Sequence, residues 1–203
     1  MPTIYILTLG DYQTNTYIVS GNNQSCVLID PGFEPHTILA KVRDLGWMVD
    51  AILLTHGHFD HVGAVEKIMA LTGCDLWMHK ADFSRPSDPI NNYLYPLSSG
   101  KFADILFYKE NSKIKAAGLA FSILHTPGHT PGSVCIFCED IIFTGDTLFT
   151  GSCGRTDLPG GNGMDLRRSL NRLSSLDRQF HIYPGHGSST TLYHEKLENP
   201  YLR

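Results

Sequence analysis

The chain is poor in most of the features that would place it outside the class of ordinary globular enzymes. It has no apolar run near the roughly 20 residues needed to span a membrane, and its early apolar stretch, Ile4 to Leu9, is interrupted at Thr8. No membrane partner is expected. The N-terminus lacks a cationic segment followed by a long apolar one, which predicts a cytoplasmic location. Positive charge is also scarce. Sixteen Lys and Arg against 20 Asp and Glu leave a net charge of −4, so the overall footprint of a nucleic-acid binder is missing. The five cysteines are odd in number and scattered, unlike the dense even sets of small secreted proteins, and they are expected to be reduced. Cys135 and Cys138 form a C-x-x-C in a β-favouring run, where residues three apart face opposite ways. Two buried or half-buried strand cysteines are expected there, and no zinc or redox pair.

At 203 residues, 42% hydrophobic and 18% charged, the composition excludes disordered, collagenous and coiled-coil classes. One domain spanning residues 1–203 is expected. What the chain does have in quantity is histidine, ten in all.

Ile4–Leu9, Thr16–Val19 and Cys26–Ile29, separated by turn residues, read as an antiparallel meander. Ile38, Leu39, Val42 and Leu45 recur at helical spacing up to Gly46. Ala51–Leu54 reads as a strand, and Val62, Val65, Ile68, Met69 and Leu71 as one amphipathic helix ending near Gly73. Residues 85–100, with Pro86, Pro89 and Pro96, read as a long loop in which Tyr93, Leu94 and Tyr95 either cover a cleft or pack on the surface. The second half is expected to repeat the order with strands at Ile105–Tyr108, Ala120–Leu124, Val134–Phe137, Ile141–Phe143 and Phe180–Tyr183. Helices are expected near Leu166–Leu176 and Thr191–Leu197. Two sheets packed together with helices outside would bury such a pattern.

Chemistry concentrates in Thr55-His-Gly-His-Phe-Asp-His61, four possible metal ligands in six residues between a strand and a helix. Three more follow β-type runs in glycine-flanked turns: His129, Asp146 and His186. Imidazole and carboxylate without thiolate suit zinc, iron or manganese in an open catalytic site. Seven ligands exceed what one ion needs but fit two ions that share a carboxylate.

These motifs, in this order, resemble those of metallo-β-lactamase-fold hydrolases, and the resemblance runs from Leu28-Ile-Asp-Pro-Gly32 to the end. It implies an α/β (α+β) four-layer αββα sandwich of two mixed sheets. Phe143-Thr-Gly-Asp-Thr-Leu-Phe149 and Gly151-Ser-Cys-Gly-Arg155 resemble the glyoxalase II (hydroxyacylglutathione hydrolase) group. Arg155-Thr-Asp157 and Asn199-Pro-Tyr-Leu202 resemble its short, single-domain bacterial members. The resemblance implies two divalent metals, zinc first with iron or manganese as alternatives. His56, His58 and His129 would hold one ion, and Asp60, His61 and His186 the other. Asp146 would bridge them, with Asp60 and Asp146 also serving the reaction.

The implied reaction is attack of a metal-bridging hydroxide on a thioester of a small-molecule substrate, of the S-acyl-glutathione type, with loss of a thiolate. Asp30 either supports the ligand loop by hydrogen bonding or simply forms the turn. His125 is expected to be no ligand, but a histidine that either supports a ligand by hydrogen bonding or packs. The longer family members hold glutathione with a C-terminal helical domain and with a basic residue followed two places on by tyrosine. Here 17 residues follow His186, and the two positions are Arg155 and Asp157. Arg155 is then either a substrate contact or a partner of Asp157. Two other readings stay open: a one-iron persulfide dioxygenase needing only His56, His129 and Asp146, or hydrolysis of another ester or lactone. A non-catalytic metal-binding module is disfavoured because all seven ligands are intact.

Overall fold

The opening meander forms as expected. In the computed structural model, which describes residues 1–22, 24–83 and 105–203, β1 (Thr3–Leu9), β2 (Thr14–Ser20) and β3 (Ser25–Ile29) pair antiparallel. The helix α1 (Pro35–Asp44) starts with proline in its first turn, carries Lys41 and Arg43 in its last, and leads through Gly46 to β4 (Met48–Leu53), parallel to β3. The single helix expected from Val62 to Leu71 is instead two, α2 (Phe59–Val62) and α3 (Val65–Thr72). The break at Gly63-Ala64 lets α2 lie directly on the Asp30-Pro-Gly turn. A Cβ on Gly32 would fall 1.7 Å from the Asp60 carbonyl oxygen, so only glycine permits that approach.

The periodicity did not reveal β5 (Asp75–His79), which adds parallel to β4. The strand β6 (Ile105–Tyr108) pairs parallel with β5, so a segment read as opening the second half completes the first sheet. That sheet runs β1-β2-β3-β4-β5-β6. The Pro-rich stretch at 85–100, with Tyr93, Leu94 and Tyr95, lies outside the described residues.

The second half supplies β7 (Lys113–Ala116), β8 (Leu119–His125), β9 (Val134–Cys138), β10 (Ile141–Gly145), the short hairpin β11 (Leu148–Phe149) and β12 (Ser152–Cys153), and α4 (Gly163–Ser174). Then come β13 (His181–Pro184), β14 (Thr190–Thr191) and α5 (Leu192–Glu198). The second sheet runs β14-β13-β10-β9-β8-β7, with β10 and β13 parallel and the other neighbours antiparallel. Asn162 caps α4 by accepting from the Met164 and Asp165 amides, and Thr191 caps α5 by accepting from His194.

The layers follow from side-chain alternation. Tyr17, Val19, Val27, Ile29 and Leu53 of the first sheet meet Phe121, Ile123, Val134, Ile136, Ile141 and Phe143 of the second. Their neighbours Ile18, Leu28 and Ile52 point the other way, onto Ile38, Val42, Val65 and Ile68 of the first helical layer. Cys135 and Ile142 pack on Leu166, Leu170 and Leu173 of α4. The result is an αββα sandwich of two mixed sheets. Cys138 lies in the layer between the sheets and Cys135 in the layer under α4, so the C-x-x-C pair straddles the sheet, and all five thiols are free. Among the described residues no helix is long and apolar enough to cross a membrane.

Candidate metal centre

The seven motif residues come from strand ends that the topology gathers. His56 and His58 follow β4, Asp60 and His61 lie in α2, His129 lies between β8 and β9, Asp146 follows β10 and His186 follows β13. All but Asp146 and His186 are classed as buried, and those two are partly so. The potential ligand atoms of His56, His58 and His129 lie within 4.8 Å of one another, as do those of Asp60, His61 and His186. Asp146 spans the two sets: Oδ1 is 3.4 Å from His61 Nε2, and Oδ2 is 3.4 Å from His129 Nε2 and 3.6 Å from His186 Nε2. Asp60 Oδ2 lies 3.3 Å from His186 Nε2.

Hydrogen bonding on the outer side of the rings decides which nitrogen faces inward. His61 Nδ1 donates to Asp30 Oδ2 at 2.9 Å, His129 Nδ1 to the Arg155 carbonyl at 2.8 Å, and His186 Nδ1 to the Tyr12 carbonyl at 3.1 Å. Thr55 Oγ1 donates to Asp30 Oδ2, which leaves it an acceptor for His56 Nδ1 at 3.1 Å. Four rings therefore turn Nε2 toward the centre. His58 is the exception, with Nδ1 only 2.9 Å from His129 Nε2. His61 Nε2 and His186 Nε2 likewise face each other at 3.3 Å. Imidazole nitrogens gathered this closely, with buried polar atoms left over, are costly unless a cation lies among them. His56 Nε2, His58 Nε2 and Asp146 Oδ1 are buried without a hydrogen-bond partner. The residues present fit divalent metal.

Residues 9–195 match the metallo-beta-lactamase superfamily. The chain belongs to it. Hydroxyacylglutathione hydrolase GloC of Haemophilus influenzae is 34% identical, over 98% of this chain and 97% of that protein. Of solved structures, BLEG-1 B3 metallo-beta-lactamase is 33% identical, with a TM-score of 0.87 over 98% of this chain and 99% of that one. TTHA1623, in a di-iron-bound form, is 37% identical, with a TM-score of 0.82 over 98% and 100%. ETHE1 from Myxococcus xanthus is 27% identical, with a TM-score of 0.81 over 98% and 83%.

Within this superfamily fold the charges of the cluster divide unevenly. Burial, reinforced by the imidazoles of His61, His58, His129 and His186, pushes His56 well below the ordinary histidine range. Burial and His129 push His58 down to about 4. Burial also works against a charge on His61, yet Asp146 and Asp30 hold its pKa well above the usual value. For Asp146 burial alone would raise the pKa, but His61, His129 and His186 together hold it well below the carboxylate range. The cluster thus sets His56 and His58, whose pKa values burial lowers, against His61, which carboxylates hold up.

Asp30 sits in the left-handed region at φ 49° and accepts from the Thr55 amide at 2.7 Å and the Thr55 hydroxyl at 2.6 Å, as well as from His61. It supports the ligand loop and is more than a turn-former. Arg155 contributes its carbonyl to His129. Its guanidinium Nε and Nη2 donate to Asp157 Oδ1 and Oδ2 at 2.7 Å each, and both side chains are exposed. His125 is not drawn into the centre. It donates Nε2 to the Pro131 carbonyl at 2.9 Å and stacks on His79 at 4.2 Å, a packing role.

One supporting residue had no signal in the sequence. The buried Asp82 carboxylate accepts from the amides of Gly57 and Gly132 and from Thr130 Oγ1. Nothing in Lys80-Ala-Asp82 marks it, because its partners lie 25 to 50 residues away. The clamp of the β1–β2 hairpin on the last ligand loop was equally hidden. Asn15 donates its amide to the Gly185 carbonyl, and its Nδ2 to those of Pro184 and Gly187.

Proposed function

We propose that the chain is a two-metal hydrolase of thioesters of the S-acyl-glutathione type, with zinc as the first expectation for the metal. The observation that carries this reading is the paired arrangement of His56, His58 and His129 with Asp60, His61 and His186 about Asp146. The identity with hydroxyacylglutathione hydrolase GloC over nearly the whole of both chains supports the choice of substrate class.

When bound, two divalent ions would activate water at neutral pH and polarise the carbonyl under attack. The chain's own residues do the positioning. Asp30, Tyr12 and Arg155 hold His61, His186 and His129 in single ring orientations through their outer nitrogens. Asp146 fixes the spacing between the two sets. The departing thiolate has a conjugate acid near pKa ~8.5, so no dedicated proton donor is required.

A one-iron dioxygenase would use His56, His129 and Asp146 and leave the Asp60, His61, His186 set idle. The deciding experiment combines metal analysis with a panel of S-lactoylglutathione, other thioesters, lactones, phosphodiesters and glutathione persulfide. Two metals per chain with fastest turnover on a thioester is the expected result. One iron with oxygen consumption on the persulfide would overturn it, as would a lactone or phosphodiester turned over faster than every thioester.

A further inference from the structure

Exposed aromatic residues adjoin the candidate ligands Asp60 and His186. Phe59 stands between His58 and Asp60 in α2 and is 40% exposed, and Tyr12 in the β1–β2 turn is 59% exposed. Their rings meet edge to face at 5.1 Å, and Phe33 stands edge-on to Phe59 at 6.4 Å. Phe33 is seated under the same turn, since a Cβ on Gly10 would fall 2.2 Å from its ring. The three rings form a ladder from half-buried Phe33 outward to Tyr12. Phe149 faces the His186 ring at 6.0 Å.

This ladder is held in place. The Tyr12 carbonyl accepts from His186 Nδ1, the Gln13 amide closes the turn on the Gly10 carbonyl at 3.0 Å, and Asn15 ties the hairpin to residues 184–187. The outer faces of Tyr12 and Phe59 are not needed to complete the core, because neither ring belongs to the buried clusters. Large apolar rings left in water beside a reactive centre, on a backbone that cannot move away, gain free energy when an apolar group lies against them. Rigid aromatics also lose little conformational entropy in doing so.

We infer that Tyr12 and Phe59 are specificity-determining residues that receive an apolar acyl group, an aliphatic chain or an aryl ring, next to the metal centre. The inference rests on the proposed hydrolase reading and names the acyl half of its substrate. A small hydrophilic acyl group leaves the shelf wet, whereas a hexanoyl or benzoyl group covers it.

The test uses metal-loaded full-length protein and acetyl, butyryl, hexanoyl and benzoyl thioesters of N-acetylcysteamine, a carrier without charge. Wild type is expected to show kcat/KM about tenfold or more higher for the hexanoyl and benzoyl thioesters than for the acetyl thioester. Tyr12→Ser, which keeps the backbone carbonyl on His186, and Phe59→Leu, which keeps bulk in α2, should each remove most of that preference. Calorimetric titration with hexanoate, benzoate and acetate supplies a readout apart from turnover, the first two binding tighter in wild type and not in Tyr12→Ser.

A flat acyl series, or variants that lower every thioester equally with metal content unchanged, would overturn the shelf and leave the hydrolase reading intact. Absence of any thioester cleavage would overturn the hydrolase reading instead. The calorimetry then still decides the shelf, since hexanoate binding no tighter than acetate rejects it.

Discussion

The Asp82 carboxylate accepts a hydrogen bond from the Gly57 amide at 2.9 Å, deep inside the protein. Through Gly132 and Thr130 the same carboxylate holds the loop that carries His129, so one side chain sets the distance between the two loops that hold His56, His58 and His129. Burial raises its pKa, against the lowering effect of these three donors. Asp82→Asn turns an amide group toward a donor it cannot accept from. A loss of about 1–3 kcal/mol of stability is expected, with metal affinity at the His129 side weakened about 10- to 100-fold. Chemical denaturation and competition with a metal chelator measure the two effects. Unchanged metal affinity in a folded Asp82→Asn protein would show that the loops hold their spacing without it.

Metal should stabilise the fold as well as activate it, because buried His56 Nε2, His58 Nε2 and Asp146 Oδ1, which have no hydrogen-bond partner, gain a cation. Removal of metal by a chelator should lower the Tm by several degrees, and added Zn should restore it. His186→Ala should reduce the metal content from two ions to one, whereas Asp146→Ala should deplete both sites. A chain that carries two ions after loss of His186 contradicts the assignment of the second set.

Gly185 has no room for a side chain. A Cβ there would fall 2.2 Å from Asp146 Oδ1 and 2.7 Å from His61 Cε1. Gly185→Ala must push Asp146 or the His186 loop out of place, and turnover should fall at least ~100-fold, since misplacement by ~1 Å costs about that much. Circular dichroism should show the sandwich intact. Wild-type activity in this variant would mean that the loop relaxes freely.

The Arg155 guanidinium is occupied by Asp157 in the free protein. Its hydrogen bonds hold the Asp157 pKa down to about 2. Because the folded value lies below the ordinary ~3.9, the pair is intact above that pH and is lost as pH falls toward 2. Asp157 should therefore remain ionised at pH 3, and in Arg155→Gln it should titrate in the ordinary carboxylate range, as carboxyl NMR shifts would report. Asp157→Ala frees the guanidinium. It should lower KM about three- to tenfold for a glutathione thioester, whose thiol half is anionic, and leave an N-acetylcysteamine thioester unchanged. Equal effects on both carriers would take Arg155 out of substrate binding.

Much of this was legible in the residues alone. The seven candidate ligands stand in short motifs, each after a β-type run and flanked by glycine, and local chemistry suffices to single them out. The alternation of buried residues likewise marked most strands. The misreadings came where local pattern is weak. The strand β5 is short, and β6 declares no sheet of its own. The helix after His61 was broken by the approach of Gly32, a contact that no periodicity records.

By itself, the order of side chains determined the layer architecture and singled out the candidate metal ligands, because period-two burial and ligand chemistry are properties of a few adjacent residues. Only the tertiary structure decided which groups face one another. It closed Asp82 on loops far away in the chain, gave the outer nitrogens of His61, His129 and His186 their acceptors, and set Tyr12 edge to face against Phe59. Those relationships depend on how the two sheets and their loops meet in space, and no local propensity carries that information.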